Sequence, residues 1–329
     1  MGNQPARVVI TDCDQGSIAE EIEVFAGMGI EPSWPGVTAE AEVIEACRNA
    51  EGIITQYAAM NRRVLEQLPH CKVVVRYGVG VDTIDLAAAT DLGIIVCNVP
   101  DYCSDEVADH AVALLLSLAR KTALYDRRVK SGQWDFRLGA PIHRLQGKTM
   151  GLVGCGRIGS RMAAHMPAFG VKVRAFDPYI TNAGEHVILT DLDRVLKSDI
   201  VSLHCPLNAS TRHLIDAAAF GKMERKPLLI NTARGPIVDE QALIRALQTG
   251  QISGAGLDVI EKEPPAPDHP FFGMDNVILT PHSGYYSVES ISEVKRRVAE
   301  HVCNVLSGKV PDAVFNPEVL GKTRARLKG

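Results

Sequence analysis

The stretch Thr149-Met-Gly-Leu-Val-Gly154-Cys-Gly156-Arg-Ile-Gly159, followed by Val171-Lys-Val-Arg-Ala-Phe-Asp177, leaves this chain few architectures to choose from. It reads as strand, glycine turn, helix, strand and acidic stop. Met150, Leu152 and Val153 make the short apolar run of a buried parallel strand. Gly154 allows a tight turn, Gly156 lets backbone approach a pyrophosphate, and Gly159 lets the next helix pack close to the sheet. That helix, expected over 157–169, points its N-terminal N–H groups and positive dipole end at phosphate. Asp177 ends the second strand, at the spacing of a carboxylate that accepts from ribose hydroxyls. A glycine turn alone is common; one set between two β-like runs and closed by an acid signifies a dinucleotide site. Pro178 and Tyr179 follow Asp177 and no arginine stands nearby for a 2′-phosphate, which favours NAD over NADP.

The 329 residues suffice for two domains of ordinary size, and at 46% hydrophobic both can have packed cores. A net charge of −4 with no basic run argues against a nucleic-acid surface. Residues 1–8 carry no apolar signal region. The most apolar helix candidate, 107–118, is too short to span a bilayer and contains Asp109 and His110. Eight cysteines occur with no CxxC spacing, so they read as reduced core thiols of a cytoplasmic protein with no metal site.

Strands are expected at 8–10, 52–55, 72–76 and 94–96. Helices are expected at 20–28, 39–49, 61–68 with Asn61 as N-cap, and 82–91 ended by Gly93. This alternation is a parallel α/β unit. Asn98-Val-Pro-Asp-Tyr-Cys-Ser104 breaks it. Ser104 is a good N-cap, and the helix it opens is expected to run to about Lys130, between the domains and in a subunit contact. Asp105, Glu106, Asp109 and His110 read as a solvated helix start rather than a metal cluster. Residues 132–147 form an irregular connection. Strands then recur at 199–203, 228–232, 254–259 and 277–279, with helices at 216–222 and 239–249. A long helix over 286–306 returns the chain to the first domain. The fold class is therefore α/β, two doubly wound parallel-sheet domains. A Rossmann domain (101–287) is inserted in a flavodoxin-like one (1–100 plus 288–329).

Arg234, Glu263 and His282 each follow a strand of the second domain, at the sheet edge where ligands bind in open α/β folds. A guanidinium can grip a carboxylate in two bonds and reach an adjacent carbonyl. Histidine can exchange the proton at that oxygen, and a carboxylate beside a histidine favours the charged imidazolium. Taken with the dinucleotide motif, the three form a catalytic set. His204 also follows a strand end, while His213 has no partner readable from the sequence.

The chain resembles the D-isomer-specific 2-hydroxyacid dehydrogenase family. The resemblance rests on Tyr77-Gly-Val-Gly80-Val-Asp-Thr-Ile-Asp85, Gly154-Cys-Gly-Arg-Ile-Gly159, His204-Cys-Pro-Leu207, Asn231-Thr-Ala-Arg-Gly-Pro-Ile-Val-Asp239, Gly256-Leu-Asp-Val259, Glu263-Pro-Pro265 and Thr280-Pro-His282. It implies an NAD-dependent oxidoreductase acting on CH–OH donors, with Arg234, Glu263 and His282 catalytic. It implies cofactor contacts at Gly154, Gly156, Arg157, Ile158, Gly159, Asp177, His204, Cys205, Pro206, Thr232, Ala233, Asp258 and Gly284. Substrate contacts would come from Val79, Gly80, Arg234, His282, Tyr57 and Tyr285, with no metal. The partners implied are a small 2-oxo or 2-hydroxy acid and a second copy of the chain in a homodimer, with no nucleic acid and no membrane. Within the family, Arg76-Tyr-Gly-Val-Gly and His282-Ser-Gly-Tyr-Tyr286-Ser are similar to the branch holding the C-terminal-binding-protein corepressors. Tyr285 stands where that branch has tryptophan. Three readings stay open: a 2-oxoacid reductase of this kind, a phosphoglycerate dehydrogenase or hydroxypyruvate/glyoxylate reductase, and an NAD(H)-sensing corepressor-like binding protein. A phosphorylated substrate would want further cations, for which Arg76 is a candidate. No C-terminal regulatory domain is expected.

Overall fold

A computed structural model describes residues 7–327. The chain divides into unit 1, Met1–Tyr102 with Ser287–Gly329, and unit 2, Cys103–Tyr286. The divisions anticipated at 100 and 288 thus lie at 102/103 and 286/287.

Unit 1 runs β1 (Val8–Ile10), α1 (Ala19–Ala26), α2 (Glu40–Cys47), β2 (Gly52–Thr55), α3 (Arg62–Glu66), β3 (Val73–Arg76), α4 (Leu86–Asp91) and β4 (Ile95–Cys97). The strands pair in parallel in the order β1-β2-β3-β4. A parallel bridge from Val9 to Ser33 adds a rudimentary strand outside β1. Counted in chain order this is the 2-1-3-4-5 arrangement of flavodoxin-like sheets. The strands are apolar on both faces because helices cover both. Asn61 caps α3 by accepting from Val64 N. The helix expected over 82–91 begins only at Leu86, because Asp85 accepts from Ala88 N and fixes the start there.

Unit 2 opens with α5 (Ser104–Arg120) and α6 (Thr122–Lys130). One helix to Lys130 was expected; Lys121 at φ 58° breaks it in two. Ser104 is not the cap either. Cys103 holds that position but its side chain makes no capping bond to the helix start, and the Ser104 hydroxyl is buried with no partner. Then come β5 (Thr149–Val153), α7 (Arg157–His165), β6 (Lys172–Phe176), β7 (Val187–Leu189), α8 (Leu192–Leu196), β8 (Ile200–Leu203), α9 (Ala217–Gly221), β9 (Leu228–Asn231), α10 (Glu240–Gln248), β10 (Gly254–Leu257) and β11 (Val277–Leu279). All seven strands are parallel, in the order β11-β10-β9-β8-β5-β6-β7. The order reverses between β5 and β8, which makes their carboxyl ends the topological switch point. The sequence had shown no sign of β7, which is only partly buried. α5 lays Ala111, Leu114, Leu115 and Leu118 on one face of this sheet, so it is a one-sided amphipathic helix within the chain.

The last helix, α11 (Val288–Leu306), belongs to unit 1. Ser287 and Ser290 form its capping box. Val302 lies so close to Gly52 that a Cβ there would sit 2.5 Å from its Cγ1. Farther on, buried Asn316 accepts from Val96 N and donates to Ile94 O, completing the open edge of β4. Among the described residues no helix is long and apolar enough to cross a membrane, and no group of three or more His, Cys, Asp or Glu is placed to hold a metal ion. The acidic start of α5 disperses: Asp105 pairs with Arg161, Asp109 with His165, and His110 with Asp258.

Candidate active site

At the switch point, Gly154 takes φ 90°, a left-handed value that favours glycine. A Cβ there would meet Cys205 N at 2.7 Å and His204 C at 2.8 Å. The turns after β5 and β8 therefore touch backbone to backbone, and His204 N donates to Val153 O. Gly156 differs, since no atom lies within 4 Å of its would-be Cβ. It starts α7 with no side-chain cap, and the first-turn N–H groups of Arg157 and Ile158 have no acceptor among the described residues. The Cβ that Gly159 lacks would strike Gly154 O at 2.4 Å, so this glycine seats the helix on the turn itself. Asp177 ends β6. Its carboxylate accepts from Cys155 N (2.9 Å) and Tyr179 N (3.0 Å), each through a different oxygen, so lone pairs remain for hydroxyl donors. Thr232, past β9, has a buried hydroxyl with no protein partner. An uncapped helix start, an open glycine, a carboxylate with spare lone pairs and an orphaned hydroxyl at one sheet edge fit a dinucleotide.

His204 bonds Ser202 through Nε2 at 2.8 Å, and burial pushes it down to about 4, so it is neutral at pH 7. Its ordinary value is 6.5. The unfolded chain therefore binds more protons than the folded one between pH 6.5 and 4, and stability present above 6.5 is lost as pH falls through that window. His204→Asn is expected to flatten that part of the Tm-against-pH curve. Superimposable curves for the two proteins would assign the acid loss to other groups. Cys205 beside it is pushed up to about 11 by burial, and Pro206 O accepts from Thr211 Oγ1.

The three residues expected to be catalytic lie on the loops after β9, β10 and β11. Buried Asn231 accepts from Ala233 N (3.1 Å) and donates to Arg234 O (3.0 Å), which shapes the first loop. The Arg234 guanidinium donates to Ala233 O at 2.7 Å. Gly235 then lies against the second loop, where a Cβ would sit 1.9 Å from Ile260 O. Ile260 N donates to Glu263 Oε1 (3.1 Å), and Glu263 Oε2 meets His282 Nδ1 at 2.7 Å. Paired with a carboxylate, Nδ1 is the donating nitrogen, which leaves Nε2 to exchange a proton with a substrate oxygen. Gly235→Ala forces two backbones apart. It is expected to cost about 2–3 kcal/mol, read as a lower Tm, and to reduce kcat. An unchanged Tm would show that these loops separate without penalty.

His282 sits at φ 53°, an uncommon value for a side-chain-bearing residue. Asp258 holds it there. The Asp258 carbonyl accepts His282 N (2.8 Å), Oδ1 accepts Thr280 Oγ1 (2.6 Å) and Ser283 N (2.9 Å), and Oδ2 accepts Gly284 N (2.9 Å). Burial pushes this carboxyl up, but the bonds from His110, Thr280, Gly284 and Ser283 together hold it down at about 2. The Tyr285 ring stands edge-on to His282, centroids 6.4 Å apart. His213 does have a partner, Glu261 Oε1 at 2.6 Å from Nε2.

At the carboxyl ends of the unit 1 strands, Asn98 Nδ2 donates to Val79 O at 2.6 Å. Among the described residues the N–H groups of Val79 and Gly80 have no protein acceptor. Buried Asp12 accepts from Gln56 N and Tyr57 N and fixes the loop after β2. The Tyr57 hydroxyl donates to Asp14 at 2.7 Å with its ring half exposed. The Asp12 cluster, and the Asp258 cluster with His110, were not anticipated. Thr280 lies in a run already singled out, but nothing in the sequence ties it to a helix start 170 positions earlier.

Residues 112–284 match the family described as "D-isomer specific 2-hydroxyacid dehydrogenase, NAD binding domain". A glyoxylate reductase of Thermofilum pendens is 40% identical over 298 residues, 87% of this chain and 87% of that protein. A D-3-phosphoglycerate dehydrogenase of Methanocaldococcus jannaschii is 36% identical over 316 residues, 94% of this chain but 60% of that longer protein. The structure of the Aquifex aeolicus D-lactate dehydrogenase with NAD and lactic acid superposes with a TM-score of 0.83 at 30% identity, covering 98% of this chain and 100% of that one. With the glycine turn and the Arg-Glu-His set in place, the chain belongs to the D-isomer-specific 2-hydroxyacid dehydrogenase family, oxidoreductases that act on CH–OH donors with a nicotinamide dinucleotide.

Proposed function

We propose that this protein reduces a small unphosphorylated 2-oxo acid, glyoxylate or hydroxypyruvate foremost, to the D-2-hydroxy acid, with NADH as reductant. The 2.7 Å contact between Glu263 and His282 carries the reading, with Arg234 on the adjoining loop. The bound dinucleotide supplies the hydride that reduces the 2-carbon. Arg234 holds the substrate carboxylate and reaches the 2-oxo oxygen. Val79 and Gly80, whose amides have no acceptor among the described residues, are proposed as further substrate contacts. His282 gives its Nε2 proton to the developing alkoxide, and Glu263 steadies the imidazolium before transfer. Asp258 keeps His282 aimed by fixing its backbone. Asp177 accepts from the ribose hydroxyls and repels a 2′-phosphate. Tyr57 and Tyr285 are each proposed as a substrate contact.

Similarity to the Thermofilum glyoxylate reductase supports the substrate class, and an assembled Arg-Glu-His set favours turnover over cofactor sensing alone. Two copies would pair through α5 and the segment after α6, where Trp134 is 89% and Phe136 80% exposed. The cytoplasm is the proposed location. The deciding test is NADH oxidation against glyoxylate, hydroxypyruvate, phosphohydroxypyruvate, pyruvate and branched or aromatic 2-oxo acids, each repeated with NADPH. Turnover of glyoxylate or hydroxypyruvate with NADH is expected. NADH binding without turnover of any member would favour a sensing protein. Asp177→Ala is expected to raise kcat/KM for NADPH relative to NADH by at least about tenfold, because the repulsion between its carboxylate and a 2′-phosphate is relieved. An unchanged ratio would assign cofactor choice to other residues.

A further inference from the structure

His110 stands on α5, one turn before the leucines that pack on the sheet, yet its ring turns to the loop after β11. Nε2 lies 2.8 Å from Thr280 Oγ1 and 3.4 Å from Asp258 Oδ1. The directions of these bonds are fixed by counting hydrogens. Thr280 has one hydroxyl hydrogen, and its 2.6 Å partner, the ionised Asp258 carboxylate, can only accept. Thr280 therefore spends its hydrogen on Asp258 and must accept from His110, so Nε2 carries a hydrogen. Donation runs from His110 to Thr280 to Asp258, and Asp258 in turn binds the amides of His282, Ser283 and Gly284. Gly284 is backed by His110 itself, whose Cδ2 lies 3.4 Å from where a Cβ would be. The ring thus closes the loop both by donation and by contact.

We propose that His110 is a positioning residue, which anchors the 280–284 loop to α5 and so holds His282 in the left-handed conformation that aims Nε2. The inference rests on the proposed role of His282, and its test separates the two. His110→Leu keeps the bulk and removes the donor; His110→Gln restores an N–H near the Nε2 position. Hydrogen exchange at Ser283 and Gly284, measured without substrate, is expected to speed up by at least about tenfold in the Leu variant and to stay within about threefold in the Gln variant, since the amides report local opening of this loop. With NADH and glyoxylate, kcat is expected to fall about tenfold to a hundredfold in the Leu variant, as misplacement of a catalytic group does, and to be largely restored by Gln. Wild-type exchange and kcat in the Leu variant would overturn the proposal, as would Gln failing as completely as Leu. If the wild-type protein turns over nothing, the reading of His282 fails, while the exchange data still decide whether His110 holds the loop.

Discussion

His282→Ala is expected to lower kcat by about a thousandfold to ten-thousandfold, the upper range for removal of a general acid. The affinity for NADH should stay within about twofold, because nothing places the ring on the dinucleotide-binding turn. The backbone should relax as well, since alanine at φ 53° gains nothing from the left-handed region. His282→Gly is therefore the useful companion. It removes the imidazole without penalising that conformation, so equal losses in the two variants would locate the effect in the ring. Single-turnover reduction of the best 2-oxo acid from the panel is the measurement. Retention of more than a tenth of kcat in both variants would remove His282 from proton transfer.

The second large effect is expected at Arg234. Arg234→Met removes both the charge and the planar fork. It should reduce kcat/KM by at least about a thousandfold, equivalent to ~4 kcal/mol of transition-state binding. Arg234→Lys keeps a charge but presents a point rather than a fork and is expected to recover only part of the loss. The pair of variants separates charge from geometry. If Lys restores full activity, the carboxylate is held by simple attraction. If Met costs less than about tenfold, the grip lies elsewhere, with the Val79 and Gly80 amides the first alternative.

Much of this site was readable before any coordinates. The glycine turn and Asp177 are local, because spacing along one strand-turn-helix-strand unit determines where they fall. Arg234, Glu263 and His282 were legible for another reason: parallel strands bring all their carboxyl ends to one edge, so residues far apart in sequence share a location once the strands are recognised. Helix boundaries were less accessible. Ser104 has good capping chemistry, yet burial of its hydroxyl excluded it from that role. Lys121 ends α5 through a left-handed backbone that no pattern of apolar residues announces. The Gly235–Ile260 approach and the His110–Thr280–Asp258 relay depend on packing between elements joined by no sequence period. His110 sits among acids at a helix start and looks like a surface residue, until the loop after β11 folds against it.

The return of α11 to unit 1 also sets an order of assembly. Lys295, 2% exposed, pairs with Glu20 at 2.5 Å across 275 positions of sequence. Buried Asn316 closes β4 across 220. During synthesis the strands of unit 1 emerge with one face of their sheet covered only in part, by α1, and the helix that completes that cover is made only after the whole of unit 2. Unit 2 has its complete sheet in one continuous stretch and can fold as soon as it clears the ribosome. The strands of unit 1, made before unit 2, are therefore among the last to reach their native packing, and the face of β1 to β4 that α11 completes stays exposed longest to other chains.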